Sequence, residues 1–287
     1  MYLPKPILKR HLLRLLEADL GMGDITSYTL ASAEKEAVAE VIVKEKDPVV
    51  LAGIEEVSLL FESLGLFVEA FYKDGEQVTR GEKILRVKGK ARDILVAERT
   101  ALNLLMRMSA IATVTKKMQE KIDQMGIKCK IAATRKTIPG LIYFDKKAVA
   151  IGGGDTHRLH LEDMVLIKDN HIILAGGIER AIKLAKEKVS FSKKIEIEVQ
   201  TKEEALRAAS LGADIVMLDN FSPQEVKETI ALLKEKGLRK KVFIEVSGNI
   251  NPENIDEYAK ANPDIISCGL LTHSVKAVDM SMKILLP

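Results

Sequence analysis

The sequence predicts an α/β protein in two parts. A strand-rich N-terminal region covers residues 1–110, and repeated βα units over 111–274 build a parallel sheet, open or closed into a barrel. Three observations predict this. In the second part short apolar runs recur roughly every 20–30 residues, with helical periodicity between them. In the first part, segments rich in Val, Ile and aromatics follow one another with few helices between. The chain has 287 residues, 47% of them apolar, which is enough to fill the cores of two ordinary domains. The C-terminal segment 275–287 is a candidate to rejoin the first part.

Taken in order, Leu8, Leu12, Leu15 and Leu16 recur at helical spacing in an opening amphipathic helix. AVAEVIVKEKDPVVLAGI, LFVEAFY and EKILRVKG read as strands, with Lys73-Asp74-Gly75-Glu76 as a turn inside their sheet. EEVSLLFESLG reads as a short helix ended by Gly65, and DILVAERTALNLLMRMSAIATVTKKMQEKI as a long helix joining the two parts. The strands of the second part are KIAAT, DMVLIKD, KIEIEVQ, ADIVMLD, KVFIEVSG and DIISCG. Thr201, Ser222 and Asn251 stand where helix caps belong.

Bulk properties narrow the partners. The formal charge is +3, from 44 basic and 41 acidic residues, which predicts neither a nucleic-acid nor a membrane partner. The N-terminus lacks the apolar run and cleavage site of a signal peptide, and no stretch approaches the ~18 apolar residues of a membrane span. Cys129 and Cys268 lie in apolar strand-like contexts with no metal-ligand spacing. Two such cysteines fit buried free thiols and a cytoplasmic location.

The chemistry gathers at the strand ends. KIAAT leads into Thr134, Arg135 and Lys136; the next strands end in or carry Lys168, Glu198, Asp219, Ser247-Gly248 and Gly269. In a βα barrel these positions converge on one face, where active sites are built. Arg135, Lys136, Arg158 and Lys168 suit a small polyanion, and the guanidinium fork suits a planar carboxylate. Glu198 and Asp219 suit a Mg²⁺ that bridges a pyrophosphate, bound directly or through water. Ser247, Gly248 and Gly269, on the last two strands, suit a phosphate. Strand alternation puts Glu196 on the same side as Glu198, so by pattern either is the ligand. Gly152, Gly153 and Gly154 permit close backbone approach just before His157 and Arg158.

TRKTIPG (134–140), GGGDTHR (152–158), LIKDNH (166–171), IEIEV (195–199), VMLDN (216–220), EVSGNI (245–250) and GLLTHS (269–274) occur in the order and spacing of one family. With GDITS (23–27) and ERTALN (98–103), they make nearly the whole chain resemble quinolinate phosphoribosyltransferase. The resemblance implies an N-terminal α/β sandwich domain and an open, incomplete α/β barrel of the type II phosphoribosyltransferase kind. It implies transfer of phosphoribosyl from phosphoribosyl pyrophosphate to quinolinate, with decarboxylation to nicotinate mononucleotide. It assigns Arg135, Lys136, His157, Arg158 and Lys168 to the quinolinate carboxylates and the phosphates. It selects Glu198 over Glu196, and pairs it with Asp219 near ribose and metal. Ser247, Gly248, Asn249 and Gly269 match the phosphate loops. Thr134 falls in the same motif as a substrate-binding position. Arg99 is implied to reach a neighbouring subunit's site in a homodimer, with hexamers left open. The implied cofactor is Mg²⁺ carried with the pyrophosphate substrate, and no organic cofactor is implied. Lys136, Glu198 and Asp219 are the implied catalytic residues. For the proton that replaces the lost carboxylate, Lys136, His157 and solvent stand as alternatives. The chain departs from the family's usual residues at Asn249 and Ala110, where Gly is common, and at Ile142-Tyr143, where a basic residue is common.

Competing readings are a molybdenum-transport-associated paralogue of the same fold, and a Schiff-base lyase using Lys168. LIKDNH argues against the first and the crowd of other cations against the second. His11 reads as an ordinary surface or interface residue, His160 and His171 read at least as well as structural hydrogen-bonding residues as catalytic ones, and His273 reads equally as capping or supporting a phosphate loop.

Overall fold

The computed structural model describes residues 3–285 and divides the chain into two compact units. The first comprises 1–114, 150–152 and 275–287, and the second 115–149 and 153–274.

The first unit begins with α1 (Lys5–Leu20), whose Leu8, Leu12 and Leu16 are buried and which packs against α3. Each such leucine contributes roughly 1.5–3 kcal/mol by leaving water. In α2 (Ile25–Leu30), GDITS acts as a cap: Asp24 accepts the Ser27 N–H at 3.0 Å and the Ser27 hydroxyl as well. There follow β1 (Glu36–Val43), β2 (Val49–Val50), α3 (Ile54–Ser63), β3 (Phe67–Ala70), β4 (Gln77–Val78) and β5 (Lys83–Lys90). The Lys73–Glu76 turn is present, with Gly75 at φ 91. It does not close a hairpin, because β3 pairs with β5 whereas β4 pairs with β2 in a separate ribbon. The long helix α4 (Ala91–Gln124) runs as one element through the boundary between Val114 and Thr115.

The second unit contains β6 (Lys130–Ala133), α5 (Ile142–Ile151), β7 (Val165–Ile167), α6 (Asp169–Ala175), α7 (Ile178–Lys188), β8 (Ile195–Val199), α8 (Lys202–Ser210), β9 (Ile215–Asp219), α9 (Pro223–Glu235), β10 (Phe243–Ser247), α10 (Ile255–Lys260), β11 (Ile265–Cys268) and α11 (Leu270–His273). Its strands form one parallel sheet in the order β6-β11-β10-β9-β8-β7. With β6 and β7 as edges, the barrel is open, and the fold is the α/β architecture that the strand repeats predict. Finally β12 (Met280–Leu285) returns to the first unit and pairs antiparallel with β1, completing a sheet ordered β12-β1-β5-β3.

Thr201 and Ser222 cap α8 and α9 through the N–H groups of Glu204 and Glu225. Asn251 does not cap a helix. Its Oδ1 accepts from Glu253 and Asn254, closing a turn, and α10 starts only at Ile255 with Asn254 at its cap. An Asn side chain reaches its own backbone two residues on as readily as it reaches a helix N–H.

Candidate active site

Register explains why polar side chains from different strands share one face. Glu198 pairs with Met217 and Met217 with Glu245, so all three stand at one level of the sheet. Two residues further along lie Asp219 and Ser247, also paired. Two residues earlier, Glu196 is level with Leu166. Period-two alternation sends these residues to one face and Ile197, Val199, Val216, Leu218, Ile244 and Val246 to the other, where they are buried.

All of the former but Glu196 line a cavity of about 520 Å³ with Thr134, Arg135, Lys136, His157, Arg158, Lys168, Gly248, Asn249, Asn220 and Ser267. The sequence-marked positions therefore share a single hollow, except two. Gly269 follows β11 without lining the cavity; a Cβ there would come within 2.9 Å of the His273 ring and 3.2 Å of Lys136 Cδ, so its bareness makes room for both side chains. Arg99 is exposed on the part of α4 that belongs to the first unit.

The cationic side of the cavity holds Arg135, Lys136, Arg158 and Lys168. Arg158 is the buried member, and burial, with Arg135 beside it, holds its guanidinium pKa below the ordinary value. Thr134 Oγ1 accepts the Lys136 N–H at 3.1 Å, and the Thr272 hydroxyl donates to the Lys136 carbonyl at 2.8 Å, which fixes that loop. On the acidic side the Lys168 ammonium donates to Glu198 Oε2 at 2.6 Å. Burial first, then the like charge of Glu198, raises the Asp219 carboxyl above its ordinary value; Lys168, Asn220 and Lys136 pull it back. Two neighbouring carboxylates on the cavity wall form a hard-oxygen donor set that fits Mg²⁺.

Glu196 and Glu198 part by depth. Glu198 is half-buried at the rim, whereas Glu196 is 0% exposed beneath it. There His157 Nε2 lies 3.2 Å from Glu196 Oε2 and 3.1 Å from Glu245 Oε2. Burial alone would lower the imidazole pKa, but the two carboxylates outweigh it and raise it to about 10.

Backbone strain concentrates here as well. Of the four non-glycine residues with positive φ among the described residues, three line the cavity: His157 at 50, Asn220 at 56 and Asn249 at 50. Asn249 thus takes the left-handed conformation open to Asn, and the loop keeps its shape without a glycine there.

Sequence reasoning missed three residues. Glu245 stands two before Ser247, so the alternation that turns Ser247 inward was a usable signal. Asn220 is equally legible, as it immediately follows Asp219. Lys146 carried no signal, since nothing in FDKKAVA sets it apart from the adjacent Lys147. Yet its side chain is 0% exposed, and it donates to the carbonyls of Thr156 and, at 3.2 and 3.4 Å, of Arg158 and Ala133. Burial lowers its pKa to about 8. The four uncommitted histidines divide by setting. His171 Nδ1 accepts the Lys168 N–H at 3.0 Å and so supports the site. His273 contacts the Ser274 hydroxyl at 2.5 Å, while His11 and His160 are exposed.

Comparison with known proteins places this geometry. The sequence profiles of the quinolinate phosphoribosyl transferase N-terminal and C-terminal domains match residues 24–109 and 111–283. The probable nicotinate-nucleotide pyrophosphorylase (carboxylating) of Methanocaldococcus jannaschii is 47% identical over 94% of both chains. That of Methanothermobacter thermautotrophicus is 44% identical over 94% of this chain and 96% of its own. Among solved structures, the nicotinate-nucleotide pyrophosphorylase from Francisella tularensis aligns with a TM-score of 0.89 and 38% identity, over 99% of this chain and 98% of that one.

Proposed function

The chain belongs to the quinolinate phosphoribosyltransferase family, and from that premise we propose that it makes nicotinate mononucleotide from quinolinate and phosphoribosyl pyrophosphate, releasing pyrophosphate and CO₂ for NAD biosynthesis. The observation that carries this reading is the shared cavity, in which four cations face Glu198 and Asp219.

Arg135, Arg158, Lys168 and His157 hold the two carboxylates of the pyridine, which orients its ring nitrogen toward the ribose. The nitrogen attacks the anomeric carbon as the bond to pyrophosphate breaks. Glu198 and Asp219 stabilise the positive charge that develops on the sugar. The same two residues would hold Mg²⁺, which when bound supplies charge neutralisation for the leaving pyrophosphate. Ser247, Gly248 and Asn249 receive a phosphate of the sugar substrate. The new N–C bond leaves the ring nitrogen cationic. When the 2-carboxylate departs as CO₂, its bonding pair stays on ring carbon 2 beside that cation, so no organic cofactor is required. A proton then reaches carbon 2 from Lys136, His157 or water.

We also propose a homodimer to which Arg99 contributes across subunits; its exposure on α4 supports this. No described helix is long and apolar enough to cross a membrane. Two buried free cysteines support a reducing, cytoplasmic setting. The deciding experiment is a coupled assay with quinolinate, phosphoribosyl pyrophosphate and Mg²⁺, run beside nicotinate. Turnover of the diacid alone is expected, and Arg135→Ala should abolish it while leaving the fold intact. Normal turnover by that variant would discard the cationic clamp.

A further inference from the structure

His157 is held on several sides. Its backbone sits in the left-handed region, and Asp155 Oδ1 accepts its N–H at 2.6 Å. The buried Lys146 ammonium ties the carbonyls of Thr156 and Arg158, on either flank of it. The ring's Nε2 faces Glu245 and Glu196. Its Nδ1 has no hydrogen-bond partner among the described residues, although the side chain lines the cavity.

The two glutamates pose a charge problem. Both are 0% exposed, and three of their four oxygens make no hydrogen bond: both of Glu196 and Oε1 of Glu245. Burial, opposed by the His157 contact, raises the Glu196 carboxyl above its ordinary value, and a protonated ring between the two carboxylates offsets much of the cost of keeping them charged. The groups acting on the ring are Glu196 from β8 and Glu245 from β10; behind the His157 loop lies Lys146 from α5, on which Asp155, Arg135, Arg158 and Glu245 act in turn. The cations among them oppose a charge on the ring, but the carboxylates are the groups at contact distance.

We propose that Glu245, backed by Glu196, is a positioning residue: its carboxylate holds the His157 ring as the imidazolium by taking the Nε2–H, which leaves the Nδ1–H as a fixed donor to a carboxylate of the pyridine diacid. The proposal rests on the reaction read above. The physical reason is the two-sided chemistry of imidazole. A neutral ring with its proton on Nε2 presents a lone pair at Nδ1, which repels a carboxylate, and only the imidazolium presents a donor at both nitrogens. Glu245 acts on the substrate through the His157 ring. The elevated imidazole pKa agrees with this arrangement.

The test compares wild type with Glu245→Gln in two measurements. Imidazole nitrogen NMR on the substrate-free enzyme at pH 8 should show His157 doubly protonated in wild type and neutral in a larger share of the variant. Steady-state kinetics should show KM for quinolinate raised roughly 10- to 100-fold at pH 8, the value of one charge-assisted hydrogen bond. The loss should shrink toward pH 6, and KM for phosphoribosyl pyrophosphate should hold. A neutral His157 in wild type at pH 8 would overturn the proposal even if the variant did not fold. An unchanged quinolinate KM in a folded variant would overturn it too. Absence of any wild-type turnover would instead sink the reaction itself, and the proposal with it.

Discussion

Lys168 Nζ lies 2.6 Å from Glu198 Oε2, joining a cation placed for the diacid to a carboxylate placed for the sugar. The contact links the two halves of the cavity, because Glu198 in turn raises Asp219. Opposite shifts of the Asp219 titration are therefore expected: downward in Glu198→Gln, where a like charge is lost, and upward in Lys168→Met, where a countercharge is lost. Carbon NMR of the Asp219 carboxyl in the substrate-free enzyme reads both. Turnover should fall by about 10²–10³ in Glu198→Gln, the usual loss when one electrostatic stabiliser is removed. Shifts of the same sign in both variants would break the proposed coupling.

The Ser247–Asn249 loop makes a contrast between neighbours. Gly248 has φ 109, and a Cβ there would lie 2.3 Å from Asn220 Oδ1 and 2.9 Å from Asn220 Cα. Gly248→Ala should cost about 1–3 kcal/mol, because backbone rather than a flexible side-chain end must give way. Asn249→Gly, at φ 50, should change stability by less than about 1 kcal/mol and keep activity. Denaturant midpoints of the two variants decide this; equal losses would refute the steric account.

Lys146→Met leaves buried carbonyls without their donor, and about 1–3 kcal/mol of destabilisation at pH 7 is expected. The effect should depend on pH in a defined direction. Folding lowers the Lys146 pKa from 10.5 to about 8, so the folded chain holds that proton less tightly than the unfolded chain. Unfolding takes up a proton over that window, and this group's contribution to stability rises between about pH 8 and 10.5. The variant lacks that rise, so its deficit relative to wild type should be larger at pH 10 than at pH 7. A deficit that shrinks with pH would contradict the direction of the shift.

The dimer reading predicts complementation. Arg99→Ala and Lys136→Ala should each be inactive alone. After mixing and subunit exchange, up to about one quarter of wild-type activity should return, because each mixed dimer restores one complete site. No recovery despite demonstrated exchange would place Arg99 outside the partner's site.

Taken by itself, the sequence determined the βα repeat, the helix caps at Thr201 and Ser222, and the strand-end residues of the cavity. These are local properties: period two along a strand chooses a face, and the last residue of a parallel strand chooses an end of the sheet. The Lys73–Glu76 turn was equally legible as a turn, but not as a link between two different sheets, since pairing partners are far apart in sequence. Alternation placed Glu196 and Glu198 on one side and could not separate them. Tertiary structure did so by depth, giving the rim to Glu198 and the buried contact with His157 to Glu196. Lys146 shows the same limit. Nothing in its neighbours along the chain distinguishes it from a solvated lysine, and only packing that brings the carbonyls of Ala133, Thr156 and Arg158 to one point makes it a buried anchor. Depth and charge pairing depend on which strands lie side by side, and that is decided by the assembled sheet rather than by any segment of it.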